Sequence, residues 1–248
     1  MALVCSAASV AHAHEDIDQA REAYANADLE GALEALDRAE ESGVDPSELT
    51  QLVTMRVLVH VALGNDDEVT QNLRNLASFA PGTELPAEIP PAVRTQFQAL
   101  VENAAPIAME TEVASEGDQV RVRGTVQNDS ESLTDTIVVG ARVPGGEWEE
   151  GEGEVVIRPG DVATVETYAE AFGPGGALLA ADGSADDPIE RTLQRETSDA
   201  EGGGLSTGAV VGIAAGAAAV ALIVVIGIVV AGGDSGDPLQ PRAPMVQF

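Results

Sequence analysis

The chain has no lysine. All 12 of its basic residues are arginine, set against 42 acidic residues, and the formal net charge is −30. A surface so short of positive charge repels phosphates, which excludes DNA and RNA as partners. It also disfavours docking on an anionic lipid surface. Two readings of the acidity remain. The preferred one is a solvated, salt-adapted surface; the other is binding of Ca²⁺ or of a basic partner. Lysine-free composition with abundant Ala, Gly and Val points to a GC-rich bacterial genome.

Cysteine is nearly absent. Cys5 is the single one, so an intrachain disulfide and a cysteine-based zinc site are excluded. A lipoprotein signal at "ALVC" is disfavoured, because Val4 is too large for that cleavage site and Cys5 lies too near the start. Histidine is almost as scarce: His12, His14 and His60 are all there is. His12 belongs to a segment expected to be removed, which leaves too few metal ligands. His60 sits on a helix face and in no nucleophile motif, so a Ser-His or Cys-His triad is not expected. "GGEWEEGEGE" carries paired acids but reads as a glycine-diluted loop rather than a glycosidase site. "GGALLAADG" lacks the Lys-Ser/Thr of a phosphate loop. No catalytic residue and no cofactor is assigned, and a non-enzymatic protein is expected.

The one long hydrophobic run is Gly208 to Ala231, 24 residues without a charge. As a helix it is about 36 Å long, enough to cross a hydrocarbon core of about 30 Å with some tilt. Gly208, Gly212 and Gly216 repeat every four residues along one stripe, where a second copy's backbone can approach closely. They are candidate helix-pairing positions for a homodimer. At the other end, "MALVCSAASVAHA" has a short apolar core and an A-x-A site, Ala11-His12-Ala13, and is expected to be a secretory signal peptide. It departs from that pattern in having no basic residue before the apolar run. With the signal cleaved, the body is extracytoplasmic and the chain is a single-pass membrane protein. Arg191 and Arg195 before the span and Arg242 after it run weakly against this orientation.

Residues 15–104 repeat a helical pattern. Ala20, Ala23 and Tyr24, then Leu29, Ala32, Leu33, Leu36 and Ala39, mark two amphipathic helices broken near Asp28 and closed by Gly43 and Pro46. A second pair is predicted at about 47–63 and 66–79, with Gly64 at the turn and Ser47 as N-cap. Asn65-Asp66-Asp67-Glu68 reads as the acidic start of its second helix. Ala32 and Val69 hold equivalent places 37 residues apart, close to the period of about 34 in tetratricopeptide repeats. A last helix at about 90–103 carries Val93, Phe97, Leu100 and Val101 toward the second pair. In Ala20, Tyr24, Ala32, Leu36 and Ala39, and in Leu63-Gly64, Leu73 and Pro81, the region resembles the tetratricopeptide-repeat family. Val53 stands where that family has a large aromatic, and Asn26-Ala27-Asp28 where it has Gly-Asp. The resemblance implies protein or peptide binding along a concave face. A helical bundle that merely spaces another domain is the alternative.

After Pro106 the period becomes two. Six strands are predicted in "IAMETEV", "QVRVRGTVQN", "TDTIVVGARV", "GEVVIRP", "VATVETYAEAF" and "GALLAADG", separated by Gly/Pro/Asn/Asp turns. Val120, Val122, Gly124 and Val126 are expected to face one side, Arg121 and Arg123 the other. The region resembles an immunoglobulin-like or fibronectin-like module without a disulfide. "TYAEAFGPGGALLAADGSADDP" is similar to the terminal hairpin of such modules in envelope proteins of high-GC Gram-negative bacteria. The lone tryptophan, Trp148, is expected as a core or edge anchor. Asp182, Ser184 and Asp186 have the one-three-five spacing of a Ca²⁺ loop, but Asp187 stands at the glycine position and Leu193 at the glutamate position.

The expected architecture is therefore α then β. It comprises a signal peptide at 1–13, helical hairpins at 14–105, an antiparallel β-sandwich at 106–194, an acidic Gly-rich linker at 195–207, a membrane helix at 208–231 and a short tail at 232–248. The expected role is protein binding or scaffolding at a membrane, with a Ca²⁺-responsive sensor module as the alternative.

Overall fold

The computed structural model describes residues 10–193, which comprise five helices followed by antiparallel sheets. The expectations for residues 1–9, for the linker, for the apolar run with Gly208, Gly212 and Gly216, and for the tail lie outside the described residues. Among those described, no helix is long and apolar enough to cross a membrane.

The helices are α1 (Val10–Ala25), α2 (Leu29–Ser42), α3 (Pro46–Leu63), α4 (Asp66–Phe79) and α5 (Pro91–Asn103). The break between α1 and α2 comes where the sequence predicts it. Ala27 takes a left-handed φ of 58°, and the Asp28 carboxylate accepts from the Gly31 N–H at 3.0 Å to start α2. Each helix packs on the next, and α1 also touches α3. This makes α3 the central helix and explains its composition. Leu49, Leu52, Val53, Met55, Val57 and Val59 are all buried, so no broad polar face remains. Small residues let α1 and α2 close on each other: Ala13, Ala20, Ala32, Ala35 and Ala39 are buried at their contact with the core. Larger side chains, among them Ile17, Leu36, Leu73 and Leu76, fill the rest. Each fully buried Leu or Ile contributes about 1.5–3 kcal/mol. Cleavage after Ala13 would remove the first turn of α1 and one buried alanine, while keeping Ile17 and Ala20.

One detail of the helix starts differs from the prediction. Ser47 is not the N-cap of α3; Asp45 is. Asp45 is extended (φ −81°, ψ 170°) and Pro46 follows at the first helical position, where its fixed φ fits and no N–H is needed. The Asp45 carboxylate accepts from the N–H groups of Ser47 and Glu48 at 2.7 and 2.8 Å, and Glu48 returns its side chain to the Asp45 N–H at 3.0 Å. This capping box satisfies three backbone donors. The Glu48 N–H, with the Ser47 hydroxyl and N–H, holds the Asp45 carboxyl below its ordinary value against the opposing effect of burial.

The strands are β1 (Ala108–Glu116), β2 (Gln119–Gln127), β3 (Thr136–Arg142), β4 (Glu149–Glu152), β5 (Glu154–Ile157), β6 (Thr164–Phe172), β7 (Leu178–Asp182) and β8 (Ile189–Thr192). One sheet runs β1-β2-β5; the other runs β4-β3-β6-β7, with β8 also on β6. All pairings are antiparallel. The sheets share one core: Met109, Val120, Val122, Val155 and Ile157 from the first, Val139, Ala141, Val165, Ala169 and Ala171 from the second. Val120 and Val122 face inward and Arg121 and Arg123 outward, as their alternation predicts. Two strands were not foreseen. Acidic "EEGE" forms β4 where a loop was expected, and "IERT" forms β8.

Sheets and helices are joined at defined points. A single 3₁₀ turn, Pro174–Gly176, connects β6 to β7 and abuts the C-terminal end of α2. There the Val44 N–H donates to the Gly175 carbonyl at 2.9 Å. Ala177 is buried in the helical core and Leu179 packs against it. Elsewhere the Ile107 N–H donates to the Ser78 carbonyl at 2.8 Å.

Candidate functional site

Two surfaces stand out. The first is an open cleft of about 500 Å³ between α5 and the segment that leads into it. Its apolar lining comes from Pro81, Leu85, Phe97 and Val101; Thr83, Glu84, Gln98 and Glu102 supply polar atoms. The geometry follows from local chemistry. Pro81 and Pro90 bound the irregular stretch 80–90, and Ile89 anchors it in the helical core. Pro91 then starts α5, and Phe97 is buried on its inner side. Phe97, Val93, Leu100 and Val101 pack on the helical core as predicted. Arg94 also lines the cleft, and its guanidinium has no carboxylate partner among the described residues. Arg74, exposed on α4, likewise has none, whereas Arg21, Arg38, Arg56, Arg121, Arg123, Arg142, Arg158 and Arg191 are all paired.

The second surface is the outer face of the β4-β3-β6 sheet. Gly140 on β3 lies between Glu150 of β4 and Tyr168 of β6. Any Cβ at Gly140 would collide with the Tyr168 ring. The glycine therefore lets Tyr168 lie across β3 and donate its hydroxyl to Glu150 Oε1 at 2.7 Å. Burial, and then Glu150, push the phenol well above its ordinary value. Trp148 stands edge-on against Tyr168, with centroids 4.9 Å apart and planes at 80°. The Arg142 guanidinium lies 4.2 Å from the Trp148 ring centre and pairs with Glu166. Both contacts are of kinds worth about 0.5–1.5 kcal/mol each. Trp148 is thus an anchor at the sheet edge, as expected. One row further along, Val138 lies between Glu152 and Glu170. Burial, and then Glu150, raise the Glu170 carboxyl above its ordinary value.

The outer face of the other sheet differs. Arg121 binds both Glu116 and Glu154, and Arg123 binds Glu154, so these four charges neutralise one another, while Glu110 and Glu112 on the same face have no arginine partner among the described residues.

The residues with Ca²⁺-loop spacing do not converge. Asp182 Oδ2 accepts from Arg191 at 2.9 Å and from the Thr111 N–H at 3.1 Å. Ser184 Oγ accepts from the Asp187 N–H at 3.0 Å, closing the turn before β8. Asp186 is exposed. Among the described residues, no group of three or more His, Cys, Asp or Glu side chains is placed to hold a metal ion. His60 is half-buried on α3, 3.4 Å from the Asn65 side-chain nitrogen. The α5 cleft was not foreseen, although Pro81, Pro90 and Pro91 around Leu85 marked a rigid irregular segment. The Tyr168 network was also missed, because its members belong to three strands whose register the sequence does not state.

Compared with known proteins, the chain matches no family model, and no curated protein matches it in sequence.

Proposed function

We propose that this protein is a non-catalytic binding or scaffolding module held at a membrane. In this reading the helical hairpins are degenerate tetratricopeptide-like units, the paired sheets form an immunoglobulin-like module, and Gly208–Ala231 is a single-pass anchor with the body on the extracytoplasmic side. The observation that carries the binding role is the α5 cleft. It exposes apolar side chains beside Arg94, which has no carboxylate partner among the described residues. Protein-binding sites combine an apolar centre with a few oriented polar groups in this way, and an extended peptide with an apolar side chain next to a carboxylate fits it.

The test places a photo-crosslinking residue at Gln98, which is exposed in the cleft, in the full chain in its native membrane. A discrete adduct is expected, lost on Leu85→Asp or Arg94→Glu while a crosslinker at exposed Glu30 on α2 gives none. Equal labelling from both positions would overturn the reading.

A further inference from the structure

The acidic edge of the second sheet offers a further surface. β4 is the end strand in the order β4-β3-β6-β7, so one side of it pairs with β3 and the other has no strand partner among the described residues. A free edge offers backbone N–H and C=O groups to any extended chain. What distinguishes this edge is its charge. Glu149, Glu150 and Glu152 make up β4 with Gly151, and Glu147 precedes it. Only Glu150 has a partner among the described residues, and that partner is a neutral phenol. The arginines nearest in sequence and register have other carboxylates: Arg142 has Glu166, Arg121 and Arg123 have Glu154, and Arg158 lies 4.0 Å from Asp118.

We propose that the free edge of β4 accepts an extended, arginine- or lysine-rich segment of a partner protein as an added antiparallel or parallel strand. Charge complementarity selects this occupant. Like charges across a new strand pair are unfavourable, so a second copy of this chain, with its net charge of −30, is rejected. A basic strand is not. Side chains of a strand alternate between faces. Glu150 and Glu152 share the outer face with Tyr168 and Glu170, whereas Gly151 points inward opposite Val139. The matching segment therefore alternates basic residues, which meet Glu150 and Glu152, with small or apolar ones. β4 has only four residues, so backbone pairing alone is weak and the charges supply much of the selectivity. The inference deepens the reading of a binding module but uses different elements from the α5 cleft, and either surface can fail without the other.

Trp148 gives a local readout, since it is the only tryptophan in the chain and immediately precedes β4. The probe is a synthetic peptide of alternating arginine and valine, added to the full chain in detergent. A saturable change in Trp148 emission is expected, with slowed amide exchange confined to residues 149–152 and their neighbours. Glu152→Arg, at an exposed position, should weaken binding roughly tenfold. N-methylation of alternate peptide amides, which keeps the charge and removes strand pairing, should abolish it in one of the two methylation registers. Equal binding by both N-methylated peptides, equal binding by the Glu152→Arg variant, or no protection at 149–152 overturns the proposal. Crosslinking from Gln98 is unchanged in either outcome, which separates this failure from that of the α5 cleft.

Discussion

Gly175→Ala acts on the joint between helices and sheets. Gly175 has φ +63° and ψ 17°, and its carbonyl takes the Val44 N–H at the end of α2. A Cβ added there would stand 2.7 Å from Val44 Cγ2 and 2.9 Å from the Glu40 carbonyl oxygen. Alanine in a left-handed conformation costs about 1–2 kcal/mol relative to glycine. Forcing a methyl group into a filled contact costs about 1–3 kcal/mol more. The neighbouring Gly176 provides the control. Its φ is also positive, +71°, but nothing lies within 4 Å of the added Cβ. Gly176→Ala should therefore carry the backbone cost alone, and Gly175→Ala should exceed it by at least about 1 kcal/mol.

The assay is urea unfolding of the full chain in detergent, followed by far-UV ellipticity and by Trp148 emission. Ellipticity reports mainly α1–α5; Trp148 reports the sheets. In the native chain the two curves should coincide, as for a single cooperative unit. Gly176→Ala should shift both together. Gly175→Ala should shift them further and separate them, because the turn no longer seats on α2 while Ile107 still holds the other junction. Equal shifts with coincident curves for both variants would refute the argument that this contact couples the two layers.

Three other expectations can be checked separately. Asp45→Ala should cost about 1 kcal/mol through loss of the α3 cap, and Ser47→Ala no more than about 0.5 kcal/mol. Because the Asp45 carboxyl is lowered below its usual 3.8, its contribution is complete above that pH and is lost as pH falls through the folded value, so melts of wild type and Asp45→Ala should converge in acid. Glu170→Gln should raise the melting temperature at neutral pH, because the raised carboxyl penalises the folded state when ionised; the gain should vanish as pH falls below about 4.5, the group's usual value. In intact spheroplasts, external protease should digest the body, and mass spectrometry of the mature chain should begin at His14; a protected body with Met1 retained would place it on the cytoplasmic side.

Much of this fold was legible because its signals are local. Proline and glycine mark the ends of α2 to α5; the apolar period places the amphipathic helices, and α3 shows as an apolar run between Pro46 and Gly64. Alternation of valine with arginine places β2 and its buried face. What escaped prediction depends on long-range context. β4 has no apolar residue, so nothing in "EEGE" announces a strand; β3 imposes it by pairing. β8 is likewise a short strand held on β6. Asp45 displaced Ser47 as cap because a carboxylate two residues before Ser47 reaches two N–H groups at once. Tyr168 and Glu150 are 18 residues apart in sequence and meet only because Gly140 leaves room between them.

The distribution of charge, rather than its total, separates the two candidate surfaces. At physiological salt the Debye length is about 8 Å, so most of the acidic residues act on a docked partner only if they lie near it. The net charge still speeds the approach of a basic molecule, but the contact itself is decided by which charges are already spent. Arg121, Arg123, Glu116 and Glu154 are spent on each other, which leaves Glu110 and Glu112 as the carboxylates without an arginine partner on the first sheet's outer face among the described residues. Along β4 the carboxylates are in excess and the backbone edge is open. In the α5 cleft the balance is different: Arg94 lies beside Leu85, Phe97 and Val101, with Glu84 and Glu102 close by. That cleft cannot select on positive charge alone and must select on apolar fit. The two proposed surfaces therefore suit different segments.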